Sequence, residues 1–435
     1  MFATFAGFCF VLNAGSAAYL LARADLGRGK KTVFAALALA SVALKLFLAT
    51  RGHNYDLDSY RIVAALVLRG QSVYAHTSRF NYGPLWAFLL AGLRQISTSL
   101  PALGGEAFHV TIAAFLAFAD VTLAALLAAK YRFGAGIFFL CCPAAILLTG
   151  YHSQFEDFTL LVGLAAWLLI RSGPAAPPRL VLSAALLGAS LMIKHILFLF
   201  PVWVLCWEKA GSWRKRVAFA LIAYGIFGAS FLPWMFDPAS RAGIITNVFR
   251  YRSEYSLSLS RLILPVHPFA AVSPAISSVL TLGWVAAVIA VGILAARRQC
   301  DLFPAYLLAV FAFSPALRDQ YLAIPLVACA ILYTGWPGWA LVVTASLALF
   351  VSPAEIFAVP FGMVYYIAMV STQICAFGLL LLELRRPGPP RPASLPLLKG
   401  VQSAATLAVA SPAAVFLLFL AKISVAGAVT RLINR

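Results

Sequence analysis

Charge is the scarcest ingredient of this chain. Asp, Glu, Lys and Arg together make up 11% of its 435 residues, where a soluble domain carries about a quarter. So few charges leave too little polar surface to cover a water-soluble globule. The shortage falls mainly on the acids: 14 Asp and Glu stand against 33 Lys and Arg, a formal net charge of +19. Zinc-type cysteine spacing is missing too. The seven cysteines (Cys9, Cys141, Cys142, Cys206, Cys300, Cys329, Cys375) sit mostly inside apolar runs, where a thiol behaves as a small hydrophobe. No phosphate-cradling glycine loop and no nucleotide fold is visible. Residues 2–22 lack the basic leader of a signal peptide, so a retained first span is expected.

Apolar residues are what the chain has in abundance: 63% are hydrophobic and the mean hydropathy is +0.92. Stretches of about 18 or more recur, each long enough to cross about 30 Å of hydrocarbon. They are continuously apolar rather than alternating, which argues against a β-barrel. The expected fold is all-α, a polytopic helical membrane protein with about 12–14 transmembrane helices. Candidate spans fall near 2–22, 33–50, 107–129, 133–149, 156–171, 180–207, 217–235, 276–296, 302–316, 320–334, 338–357, 361–383 and 403–422. Residues 1–384 form one transmembrane domain in this reading. The proline-rich stretch that opens 385–435 is an extended linker to a C-terminal transmembrane helix.

The basic residues sit in short clusters between these runs, a pattern that reports membrane topology and headgroup contact rather than nucleic-acid binding. Clusters at Arg23/Arg28/Lys30/Lys31, Lys130/Arg132, Arg171/Arg179, Lys209/Arg214/Lys215/Arg216, Arg297/Arg298 and Arg385/Arg386/Arg391 are therefore placed on the cytoplasmic side. Parity then puts 51–106, 150–156, 236–275 and 317–319 outside. It requires that 84–96 be an interfacial helix and that 180–207 be a hairpin turning near Lys194-His195. All six histidines and most of the acids fall in or beside the outer loops. Chemistry is expected on that face.

The most informative stretch is 51–86, RGHNYDLDSYRIVAALVLRGQSVYAHTSRFNYGPLW. Ile62, Val63, Leu66 and Val67 recur at helical spacing, which predicts an amphipathic helix on the membrane surface, ended by Gly70. The turn Asn81-Tyr82-Gly83-Pro84 leads into the second interfacial helix. Asp56 and Asp58 are thus held where a lipid headgroup would sit. Asp58, directly before Ser59-Tyr60, also fits a plain N-cap, whereas Asp56 stands two residues too early to cap the same helix. Arg51 and Arg61 flank both acids and would favour their ionised forms.

Here the sequence resembles the integral-membrane glycosyltransferases of the GT-C superfamily, and most closely the bacterial polyprenyl-phosphate-mannose-dependent mannosyltransferases. Their first outer loop reads Asp-x-x-x-Tyr, a helix, Gly-x-x-x-Tyr and an aromatic-x-Pro turn. Those positions are Asp56, Tyr60, Gly70, Tyr74 and Tyr82-Gly83-Pro84 in this chain. Many relatives have Tyr-Pro-Pro in the turn, from which Gly83 departs. Further segments agree in order: Pro143 with Gly150 to Asp157, then Leu191 to Lys194 with Pro201, then Ser314-Pro315 with Arg318 to Tyr321 and Pro325. The likeness runs over roughly 33–335.

The resemblance implies a GT-C-like fold and inverting transfer of a mannose-like hexose from a polyprenyl-phosphate donor to a hydroxyl of a lipid or glycan acceptor. The family's catalytic aspartate falls on Asp56, or on Asp58 if the register shifts by two. The leaving phosphate needs outer-face cations, for which Lys194, His195, Arg250, Arg252 and Arg318 are the candidates. Tyr60, Tyr74, Tyr82, His152, Gln154, Glu156 and Asp157 are candidates for substrate contact. No cofactor is expected. A divalent ion on Asp56/Asp58 with Glu156/Asp157 is the less favoured arrangement. The rival readings are a transporter or lipid flippase, a lipid-glycan ligase or polymerase, and a non-catalytic assembly subunit.

Overall fold

The computed structural model describes residues 1–171, 176–250, 258, 273–332, 336–352 and 362–385. Among them every regular element is helical. The helices are α1 (Phe2–Arg23), α2 (Arg28–Ala49), α3 (Tyr55–Leu68), α4 (Val73–His76), α5 (Pro84–Ser97) and α6 (Ala107–Lys130). Next come α7 (Phe133–Leu140), α8 (Pro143–Gly150), α9 (Glu156–Arg171), α10 (Pro177–Ile193), α11 (Phe200–Leu205), α12 (Trp213–Ala229), α13 (Leu232–Met235) and α14 (Pro238–Gly243). The last are α15 (Pro274–Arg297), α16 (Leu302–Phe313), α17 (Ala323–Leu332), α18 (Trp336–Phe350) and α19 (Gly362–Arg385). The linker and final helix expected beyond Arg385 lie outside the described residues, as do Arg252, Glu254 and His267.

Five of these helical segments are long and apolar enough to cross a membrane unaided, and the bent pair α7/α8 would make a sixth. Among the described residues the larger number of spans expected from the apolar runs is not reached by unbroken helices of that length, because some runs break and others form apolar helices of 10–17 residues. The run 133–149 bends by 54° where Pro143 restarts the helix. The run 180–207 breaks at Lys194, whose backbone is extended.

That break is a reversal. Ser183 donates to the Ala166 carbonyl and Ser190 to that of Thr159, so α10 rises antiparallel to α9. After Lys194 the chain comes back down α9: a Cβ on Gly163 would meet Leu197, and the rings of Phe200 and Trp207 lie against Trp167. The expected hairpin is therefore present, with a three-residue turn of 3-10 helix, His195–Leu197, at its tip.

The segment that includes α6 is 83% buried over its most apolar window, whereas α15 is 17% buried and α1 22%. The first is the centre of the bundle; the other two present broad apolar faces of the kind that lipid covers. α5 differs from its expected interfacial role. Pro84 starts it at the first helical turn, but every residue from Pro84 to Leu93 is buried, packed among α1, α3, α6 and α10. A helix lying on a membrane would keep one face open. The aromatic and aliphatic residues all round α5 instead find protein neighbours, because α1 folds over its outer side.

The two ends of the bundle are chemically distinct. At one end Lys31 reaches the Ala22 carbonyl, Lys30 lies over Phe133, Arg132 donates to the Ile331 carbonyl, Lys209 meets Gln299, and Arg298 donates to the Leu384 carbonyl. Asp301 ties this end together, accepting from Trp167 (2.8 Å) and pairing with Arg171 (2.5 Å). The loops expected on one side by their basic content thus do share an end. The opposite end gathers His53, Asp56, His152, Gln154, Arg318 and Asp319.

Candidate functional site

The site begins at the N-terminus of α3. Asn54 is its cap: its side chain accepts from the Asp56 N–H at 3.1 Å. This corrects the N-cap reading of Asp58. The helix starts at Tyr55, so both acids lie in its first turn, where a carboxylate is favoured by the exposed N–H groups. The two then part in character. Asp58 pairs with Arg61 at 2.9 Å, one turn along the helix, with nearly half of its side chain open to solvent. Asp56 makes no ion pair among the described residues. Its Oδ2 accepts from Gln154 Nε2 at 2.6 Å and, at 3.5 Å, from Asn54 Nδ2. Its Oδ1 carries no such partner among them. Arg51, expected beside the acids, lies instead over the Phe47 ring.

Gln154 comes from the connection between α8 and α9, which also carries Ser153 at a positive φ of 51°. In that tight turn His152 is fully buried and its Nδ1 faces Asn54 Nδ2 at 3.1 Å. An amide N–H donates, so His152 accepts there in its neutral form. Burial holds the His152 imidazole below its ordinary pKa, with Asp319 and Asp56 acting in the opposite direction. Asn54 and Gln154 together bind α3 to this connection.

A polar chamber of about 800 Å³ opens above these groups. Its wall includes Asp56, Asp58, Arg79, Tyr82, Gln154, Arg318 and Asp319. Two of these, Asp319 and Arg79, were not among the candidate site residues. Asp319 precedes α17 and accepts from Tyr365 and Ser352, which anchors it to the far side of the bundle. Arg79 sits in the link before α5, donating to Ser59 Oγ (3.0 Å) and the Tyr55 carbonyl (3.2 Å) while lying 3.7 Å over the Tyr55 ring. The one signal available for Arg79 was its place between Ser78 and the Phe80-Asn81-Tyr82 turn.

Asn81 and Tyr82 also line a second cavity, an apolar groove of about 220 Å³ walled by Ile196, Leu280, Trp284, Val310 and Phe311. Lys194 and His195 border it at the hairpin tip. Lys194 is buried and paired with Glu156, and its ammonium lies 4.8 Å from the Tyr82 ring and 4.9 Å from Phe155. Its charge is thus met by a carboxylate and π-faces within the protein.

The other candidates lie elsewhere. Tyr60 is wholly buried, edge-on to Trp86 and Phe155. Tyr74 is buried too and donates to the Tyr82 carbonyl at 3.1 Å, packed by Phe80, Phe231 and Trp234. Both support the chamber wall and do not line it. Asp157 is buried beneath the connection, near the Lys45–Asp120 pair. Arg250 is exposed at the end of a short π-helical stretch and lines neither cavity, and Arg252 lies outside the described residues. Among the described residues no three His, Cys, Asp or Glu side chains group closely enough to hold a metal ion.

Fold and site together define the class: an all-α chain with at least five helices fit to span a membrane and a carboxylate-lined chamber at one end of the bundle. No protein-family model matches the sequence, and no curated protein matches it either.

Proposed function

We propose that this chain is an integral-membrane glycosyltransferase of the GT-C type, which transfers a mannose-like hexose from a polyprenyl-phosphate sugar to an acceptor hydroxyl. The observation that carries this reading is Asp56: a carboxylate with one oxygen held by two amides and the other unpartnered among the described residues, at the wall of a polar chamber. The chamber shares Asn81 and Tyr82 with an apolar groove, an arrangement suited to a donor that is sugar at one end and lipid at the other.

In the proposed step the acceptor oxygen attacks the anomeric carbon from the face opposite the phosphate. Asp56 Oδ1 takes the hydroxyl proton as that bond forms. The bond from the anomeric carbon to the phosphate oxygen breaks, its electron pair stays on that oxygen, and polyprenyl phosphate departs with the configuration inverted. Gln154 and Asn54 fix the carboxylate, so positioning rather than basicity supplies most of the effect. The basic end faces the cytoplasm on the positive-inside rule. The chamber then lies on the outer face of the cell membrane, where an acceptor lipid or glycan of the envelope would meet it.

The test is to reconstitute the full chain in lipid nanodiscs with polyprenyl-phosphate hexoses labelled in the sugar and a panel of lipid and glycan acceptors. Release of polyprenyl phosphate with label in a new product of inverted configuration supports the reading. Passage of intact labelled lipid across proteoliposomes without sugar transfer would show a transporter instead.

A further inference from the structure

We propose that Arg79 is an anion subsite that holds the phosphate of a lipid-linked phosphosugar, an inference that rests on the transferase reading and adds a named phosphate partner to it. Arg79 differs from several of the cations around it. Arg61 has Asp58, and Lys194 has Glu156. Deeper in the bundle Lys45 has Asp120 at 2.5 Å, and at the basic end Arg171 has Asp301. Arg79 makes no ion pair among the described residues, although Asp56 and Asp58 lie on the same chamber wall.

Its guanidinium is nonetheless fixed. Nε donates to Ser59 Oγ at 3.0 Å, Nη2 donates to the Tyr55 carbonyl at 3.2 Å, and Cζ lies 3.7 Å over the centre of the Tyr55 ring. Upstream, the Arg79 N–H donates to Thr77 Oγ1 at 3.1 Å, which steadies the backbone that carries it. Both N–H groups of Nη1, and the second of Nη2, are left without a hydrogen-bond partner among the described residues. Holding a long side chain in one orientation costs rotamer entropy, and a surface ion pair is not the compensation here. A planar fork with free donors on one edge matches two oxygens of a phosphate.

Placement favours a donor phosphate over a free anion. Arg79 precedes Asn81 and Tyr82, the residues common to the polar chamber and the apolar groove. A phosphate on Arg79 would therefore lie near the junction, its lipid leading toward the groove and its sugar toward Asp56. Tyr55 and Ser59, which position Arg79, and Asp56 itself all belong to the first turn and a half of α3. Any shift of that helix moves base and phosphate partner together.

Binding separates this inference from the transferase reading. Full-length protein in nanodiscs is titrated with polyprenyl monophosphate, the unphosphorylated polyprenol, inorganic phosphate and phosphatidylglycerol vesicles. Arg79→Gln is expected to weaken polyprenyl monophosphate binding by about tenfold to hundredfold, the loss of charge-assisted hydrogen bonds. Binding of the polyprenol should stay as it is. Arg79→Lys should recover only part, because an ammonium lacks the fork, and Ser59→Ala should give a smaller loss in a chain with its charge intact. Equal affinity for polyprenyl monophosphate in wild type and Arg79→Gln, with matching melting curves, overturns the assignment. So does competition by inorganic phosphate or phosphatidylglycerol at the same concentration as the polyprenyl phosphate. If Arg79-dependent binding is found but no sugar is transferred, the subsite stands and the transferase reading falls.

Discussion

Gln154 donates from Nε2 to Asp56 Oδ2 at 2.6 Å, a contact between residues 98 positions apart. It joins the first turn of α3 to the connection before α9, and it sets the direction of the carboxylate relative to the chamber. Truncation at Gln154→Ala frees Asp56 to rotate while leaving its charge. Transfer should fall by about tenfold to hundredfold, mostly in kcat, since a misplaced reacting group is costly. The melting temperature should change little. Steady-state kinetics of the purified variant measures both.

The Lys194–Glu156 pair is buried at the tip of the hairpin. Removing one partner strands a charge, so Lys194→Met alone should cost about 3–5 kcal/mol of stability. The double variant Lys194→Met with Glu156→Leu should recover much of that loss, because the remaining neighbours are the rings of Tyr82, Phe155 and Tyr321. Thermal unfolding of the three proteins in one detergent tests this. Additive losses in the double variant would mean that the two charges do not stabilise each other.

Gly83 has no room for a side chain: a Cβ there would lie 2.1 Å from the Met192 carbonyl. The turn into α5 thus rests directly on the last turn of α10. Gly83→Ala should lower stability by about 1–3 kcal/mol through forced backbone shifts, and it should widen the junction at Tyr82. The unfolding midpoint reads the first effect; binding of a polyprenyl lipid reads the second.

His152 gives the outer end a pH dependence. Its folded pKa lies below the ordinary 6.5 because burial disfavours the imidazolium, so the unfolded chain binds the proton more readily. Stability from this group is complete above 6.5 and declines as pH falls through and below that value. Protonation would also remove the acceptor that faces Asn54. Melting curves between about pH 5 and 8 should therefore slope downward on the acid side in wild type, and less so in His152→Gln.

Much of the architecture was legible because it follows from where charge can sit in a membrane. Lys31, Arg132, Arg171, Lys209 and Arg298 share one end, as their clustering between apolar runs implied. Lys194 could not continue an apolar span, and the chain reverses there. Local rules failed where tertiary contacts decide. The cap of α3 is Asn54, four residues before Asp58, in a stretch with no apolar period to mark it, which is why Asp58 fits the cap in sequence. Tyr60 and Tyr74 resemble binding residues in sequence, yet their rings fill the core. Arg79 and Asp319 enter the chamber from connections, whose positions carry no periodic signal and are set by packing of distant helices.

The most direct test of the account compares Asp56→Asn with Asp58→Asn in the reconstituted transfer assay. Asparagine keeps the size and the α3 capping contacts but cannot take a proton. Asp58 is paired with Arg61 and nearly half exposed, so its variant should keep transfer within about threefold, the scale of a surface ion pair. Asp56→Asn should lose at least about a hundredfold, the contribution of a general base, while still binding polyprenyl phosphate. Full activity in Asp56→Asn, or loss confined to Asp58→Asn, would contradict the account.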